Sequence, residues 1–156
     1  NHTGEVCAQA LYRGQALASR SEKTRKMLAK SCEEETDHLA WTKERLQELN
    51  GKTSYFNFFF YGNSFLMGVI AGLMGDRWSL GFVSETEIQV AKHLENHLEK
   101  LSQQDLKSRA IVLQMRDEEL HHEKKAVDAG AAELPFVIKK LMHLHARVMT
   151  HTAYFF

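Results

Sequence analysis

The chain has 156 residues in which 20 acidic and 20 basic side chains cancel, and no Lys/Arg-rich block stands out. That balance excludes an electrostatic footprint for nucleic acid, and the length suits one domain, 1–156, with a buried core. Cys7 and Cys32 show neither a CxxC nor a Cys/His zinc spacing, so no disulfide framework is expected and a reducing compartment fits best.

The chain opens at Asn1 without an initiator Met or a signal-type segment and reads as a trimmed or processed product. Pro135 is the one proline and the glycines gather at 51–81, so most of the chain should be helix. A first helix is predicted from Thr3 to Ala18, with Thr3 a candidate cap and Val6, Ala10, Tyr12 and Leu17 along it. A second lies between Ser21 and Leu49, opened by Ser21 and closed by Asn50-Gly51. From Thr53 to Gly75 there is no charged residue, only a long apolar crossover. It is long enough for a membrane span of ~20 residues. However, Gly62, Gly68, Gly72, Gly75 and the pair Asn57/Asn63 argue against a straight lipid-facing helix. Contact with a membrane surface is favoured over a buried crossover, and both over a true span. A third helix runs from about Ser84 to Leu101 and a fourth from about Gln104 to Ala129, ended by Gly130. A fifth follows Pro135 and ends at Tyr154-Phe155-Phe156. The expected fold is all-α: a ferritin-like four-helix bundle with a long apolar crossover and an extra C-terminal helix.

Two stretches, EEETDHLAW at 33–41 and DEELHHEKK at 117–125, place a Glu three residues before a His. Residues i and i+3 share a helix face, so Glu35 with His38, and Glu119 with His122, point into one space. Glu118/His121 is a second frame of the later motif, but Val112, Met115 and Ala126 keep helical register with Glu119 and His122. The remaining two long helices each offer a carboxylate, Glu5 and Glu87. Glu5 precedes Glu35 by 30 residues and Glu87 precedes Glu119 by 32, so the chain reads as two copies of one hairpin. Taken singly, Glu5 is an ordinary acid at a helix start, Glu33 and Glu34 a solvated face, and His121 a surface residue. Taken together, Glu5, Glu35, His38, Glu87, Glu119 and His122 match a carboxylate bundle that holds two metal ions. Four carboxylates balance two divalent cations, two imidazoles leave room for dioxygen, and this donor set favours iron or manganese over zinc.

Tyr12, His93 and Asp117 are candidates for a layer behind the ligands, with Asp117 expected to accept the outer ring N–H of an imidazole. Asp37 and Glu34 are also near in sequence. His97 is expected to be exposed, and His143 and His145, two residues apart, diverge on a helix and are assigned no site. Cys7 reads as a small core residue near Glu5, and Trp41 and Trp78 as packing or interfacial anchors.

In order and spacing, NHTGE (Glu5), LYRGQ (Tyr12, Gly14, Gln15), EETDHL (Glu35, His38), ETEIQVAKH (Glu87) and RDEELHH (Arg116 to His122) resemble the demethoxyubiquinone hydroxylases, the Coq7 family of ubiquinone biosynthesis. The resemblance covers nearly the whole chain. It implies a membrane-associated di-iron monooxygenase that inserts one oxygen atom of dioxygen into the ring of a polyprenylated demethoxy-benzoquinol. The six residues above would bind two irons, with Glu35 and Glu119 bridging. One departure is Leu94, directly after His93, where family members often carry Tyr. Related enzymes are reduced with NADH or by the quinol itself, and both remain open here.

The implied partners are the polyprenyl quinone, dioxygen and a membrane surface. A lipid-binding accessory protein and a homo-oligomer are admitted as well. The implied location is peripheral on the inner membrane, at a bacterial cytoplasmic face or a mitochondrial matrix face. A polyprenyl quinone is too apolar for a soluble pocket, so Phe65, Leu66, Met67 and Ile70 of the crossover are expected to touch it. Another ferritin-like two-metal protein, a rubrerythrin-like peroxidase or an iron oxidase or store, is the alternative. The apolar crossover argues against it.

Overall fold

The computed structural model describes residues 1–155; Phe156, last of the aromatic tail, lies outside them. The described residues form six helices and no strand: α1 (His2–Ala18), α2 (Glu22–Glu48), α3 (Asn57–Leu73), α4 (Asp76–Lys100), α5 (Leu106–Asp128) and α6 (Phe136–Phe155). α1 with α2, and α4 with α5, pack as two hairpins of a ferritin-like bundle. Ser21 and Asn50 sit at helix ends as expected, whereas Thr3 lies inside α1, which starts at His2 behind Asn1, and Asp105 caps α5 without having been expected to. The Ser21 hydroxyl accepts the Thr24 N–H at 3.3 Å, Asn50 takes the left-handed conformation at φ 56° just past α2, and Asp105 accepts the Ser108 N–H at 3.0 Å.

Two boundaries differ from expectation. The apolar crossover is itself a helix, α3, which packs mainly against α1. α4 starts at Asp76, not near Ser84, because Gly75, at φ 103°, reverses the chain in one residue and hands an acid to the helix N-terminus. The crossover glycines are a seam. A Cβ on Gly68 would fall on the Leu11 carbonyl oxygen, and one on Gly14 would fall on the backbone of Phe65 and Val69. Only bare backbones let α1 and α3 approach this closely. Gly68→Ala is therefore expected to cost about 1–3 kcal/mol through overpacking, read as a lower urea midpoint with unchanged helical circular dichroism.

One face of α3 is buried at Phe60, Ser64, Gly68, Ala71 and Gly72, while Phe58, Phe59, Leu66, Ile70 and Leu73 face outward. α6 similarly turns Val137, Leu141, Leu144 and Val148 outward and buries only Met142 and Met149. Among the described residues no helix is long and apolar enough to cross a membrane.

Two apolar clusters define the core. One joins Tyr12, Leu28, Cys32, Val83 and Ala126; the other joins Leu94, Val112 and Met115, with Trp41 against it. Along α2 the order is Leu28 and Cys32, then Glu35 and His38, then Trp41; α4 and α5 repeat it around Glu87 and around Glu119 and His122. The acidic and imidazole side chains thus form a polar layer between two apolar ones. At one end, Arg45 ties α2 to α5 through Ser108 (2.8 Å) and Asp105 (2.9 Å), so the two helices that carry the Glu-x-x-His motifs are held together.

Candidate metal centre

Each of the four long bundle helices places its expected side chain in the polar layer. Glu5, Glu35, His38, Glu87, Glu119 and His122 are all buried, with Glu35 and His38 fully inaccessible. They form two overlapping groups: Glu5, Glu35, His38 and Glu119, and Glu35, Glu87, Glu119 and His122. Within each group one donor atom per residue lies within 4.8 Å of the others. Glu35 and Glu119 belong to both. The Nδ1 atoms point inward: His38 Nδ1 is 3.1 Å from Glu35 Oε2 and 3.3 Å from Glu119 Oε1, and His122 Nδ1 is 3.2 Å from Glu35 Oε1. Glu35 Oε1, Glu119 Oε2 and His122 Nδ1 are buried yet make no hydrogen bond of acceptable geometry. Buried donor atoms left unpaired are costly. These converge on common points, and their hard-oxygen and imidazole chemistry suits a pair of divalent cations.

The outer ring nitrogens show what fixes the imidazoles. His38 Nε2 meets Glu118 Oε2 at 2.6 Å, and His122 Nε2 meets Glu34 Oε2 at 2.7 Å. Each carboxylate sits one residue before a Glu of the inner layer and reaches across to the other hairpin's histidine. With Nε2–H donated to a carboxylate, Nδ1 is the nitrogen whose proton a metal would displace. Asp117, expected in this role, is exposed and bonded to its neighbour Arg116 (3.0 Å from Nε). Glu118, nearer the buried face and one methylene longer, takes its place. The matching offset of Glu34 and Glu118 from Glu35 and Glu119 was the available signal. Glu118→Ala is expected to weaken metal binding about 10–100-fold in a chelator competition, while Asp117→Ala leaves it unchanged. Tyr12, buried, donates its hydroxyl to Glu87.

The layer is electrostatically tense. Burial raises Glu5 to about 8, reinforced by the Glu119 and Glu35 carboxylates, and burial likewise pushes Glu87 well above the carboxylate range. Burial disfavours charge on the imidazoles, but the surrounding carboxylates outweigh it. They hold His38 far above its ordinary value and His122 up to about 11. Burial would raise Glu119 too, yet the adjacent His122 and His38 imidazoles, 3.4 and 3.3 Å away, pull it down to about 2. Carboxylates crowded in an apolar sleeve keep protons that only cations of higher charge would displace.

A family model described as "Ubiquinone biosynthesis protein COQ7" matches residues 1–153. The chain belongs to this family. It is 56% identical over 154 residues to a protein of Coxiella burnetii named 3-demethoxyubiquinol 3-hydroxylase, covering 99% of this chain and 72% of that protein. Relatives of the same name in Nitrosomonas europaea and Laribacter hongkongensis are 51% and 54% identical, each over 99% of this chain and over 74% and 75% of their own lengths.

Beside its buried carboxylate and imidazole layer this member of the COQ7 family has a cavity of about 690 Å³. Its walls come from the start of α1, the α2–α3 connection, α3, α4 and α6, and Glu5 stands in the wall. The cavity therefore reaches one end of the polar layer. Of the crossover residues expected to touch substrate, Met67 lines it; Phe65 is half-buried elsewhere, and Leu66 and Ile70 face outward. α6 contributes more of the wall than the crossover does, through Met142, His145 and Met149 among others. His93 and His97 also line it, rings 4.3 Å apart, so His97 is half-buried on the cavity and not exposed as expected. Burial, then the neighbouring His97, lowers His93 to about 4, which keeps it neutral and able to accept or donate a hydrogen bond. Cys7 is a half-buried cavity residue, not a core one.

Proposed function

We propose that the chain is one di-iron domain that hydroxylates the ring of 3-demethoxyubiquinol, a polyprenylated demethoxy-benzoquinol, in ubiquinone biosynthesis. The observation that carries this reading is the buried set of four carboxylates and two imidazoles in contact with a cavity large enough for a substituted ring. The names of the relatives point to the same substrate. Two irons would be held by the two groups, Glu35 and Glu119 being common to both, with Glu5 and His38 completing one position and Glu87 and His122 the other. When bound, the metal pair supplies the binding and reductive activation of dioxygen. The protein's part is to hold those ligands in a dry layer, keep both imidazoles oriented through Glu118 and Glu34, and offer the substrate ring a place beside Glu5. Reducing equivalents come from NADH or from the quinol.

The outward apolar faces of α3 and α6 support peripheral contact with a membrane, where an apolar tail resides. Leu66 and Ile70 suit that lipid-facing role; Met67 suits contact with substrate. An iron store or a peroxidase has no use for a roomy apolar cavity opening beside such faces. The test is turnover: iron-loaded protein, a reductant, a short-chain demethoxyquinol and isotopically labelled dioxygen. The expected product has gained one labelled oxygen atom by mass spectrometry. Iron-replete protein that leaves the quinol unmodified would overturn the assignment.

A further inference from the structure

Two hairpins of one design build the centre, so every feature beside one metal position has a counterpart beside the other, and the counterparts are not alike. Glu34, behind His122, faces Lys125 Nζ at 3.0 Å and Lys30 Nζ at 3.9 Å. Glu118, behind His38, receives a hydrogen bond from the neutral Gln114, and among the described residues no Lys or Arg pairs with it. The two carboxylates are otherwise matched, each with a third of its side chain exposed and each within 2.7 Å of its imidazole. The same imbalance recurs on the terminal carboxylates. Tyr12, seven residues after Glu5, donates to Glu87; the residue seven after Glu87 is Leu94, which has no hydrogen to give Glu5. Leu94 is buried, so no solvent hydroxyl substitutes for it from that side chain's place.

Both differences act in one direction. An imidazole whose outer N–H is given to an uncompensated carboxylate is a stronger donor than one whose carboxylate is shared with an ammonium. A carboxylate that accepts a hydroxyl hydrogen bond is a weaker base than one that does not.

We infer that the two metal positions are unequal: the one held by Glu5 and His38, next to the cavity, fills first and more tightly, and Lys125 and Tyr12 are the positioning residues that weaken the other. This rests on the two-metal reading above. It also assigns the tighter ion to the side from which the cavity approaches.

The test uses the full chain, made metal-free and given one equivalent of Co²⁺. Anomalous diffraction either side of the cobalt edge should place the metal at the Glu5/His38 position. Equal peaks at both positions, or a stronger peak at Glu87/His122, would overturn the inference. In solution, stepwise Co²⁺ titration by visible absorbance should show Lys125→Met tightening the second step about tenfold and leaving the first in place. Lys125→Arg should restore the parent curve, and Tyr12→Phe should shift the second step in the same direction as Lys125→Met. Second steps unmoved in both Lys125→Met and Tyr12→Phe would sink the idea, even with the diffraction result intact. A chain that binds no Co²⁺ at either position would refute the two-metal reading itself. Two bound ions without preference would refute only the inequality.

Discussion

Glu35→Ala is expected to strip both ions from the chain and reduce turnover to background. Glu35 belongs to both ligand groups, and its two oxygens serve different histidines, Oε2 lying 3.1 Å from His38 Nδ1 and Oε1 3.2 Å from His122 Nδ1. No other single change except the one at Glu119 removes a donor from both positions. Truncation also leaves two buried imidazoles short of a shared anion, and breaking a buried pair of this kind costs about 3–5 kcal/mol. Iron by mass spectrometry should fall from two per chain to near zero, with a lowered denaturation midpoint for the metal-free protein. Glu33→Ala, two residues earlier on the exposed face, should change neither quantity. A Glu35→Ala protein that retains two irons would show that this residue bridges nothing.

Loading two divalent cations at neutral pH is expected to release about three or more protons per chain. The sources are Glu5, Glu87, His38 and His122, each of which holds its proton above the ordinary value for its type. A group with a raised value is protonated below it, so a cation must displace that proton, and displacement becomes easier as pH rises. Metal affinity should therefore climb steeply between about pH 6 and 8, with Glu5 the first to stop contributing because it lies at about 8. Calorimetric titration in two buffers of different ionisation enthalpy counts the protons directly. A count near zero would mean that the ligands were already bare.

The meeting of the six carboxylate and imidazole side chains in one buried layer was legible because its signals are local. A Glu-x-x-His declares a shared helix face, and the repeated offsets from Glu5 to Glu35 and from Glu87 to Glu119 pair the helices. Caps were legible for the same reason, at Ser21 and at Asn50. What was hidden depends on packing between distant segments. Gly68 and Gly72 look like helix breakers in sequence, but in the fold they are where α1 and α3 touch, so the crossover is a helix. The start of α4 was placed late because Trp78 to Gly81 continues the apolar, Gly-containing composition of the crossover, while Gly81 sits close against Ala132. Asp117 lost its expected role to Glu118 because reach across a bundle depends on side-chain length and on position round the helix. His145 and Met149 gave no local sign of a cavity whose other walls begin at Asn1, at the opposite end of the chain.

The way α6 is fastened has its own consequence. Its beginning is anchored by Lys139, whose carbonyl accepts from Gln89 and whose ammonium pairs with Glu85. Beyond that point only the thioether side chains of Met142 and Met149 are buried. Methionine adapts its shape at little cost, and segments with few buried contacts open at lower free energy than the rest of a protein. The cavity thus has one wall whose buried contacts are two adaptable thioethers, and that wall yields to a bulky guest at lower cost than the packed bundle helices that bring Glu5 to the cavity.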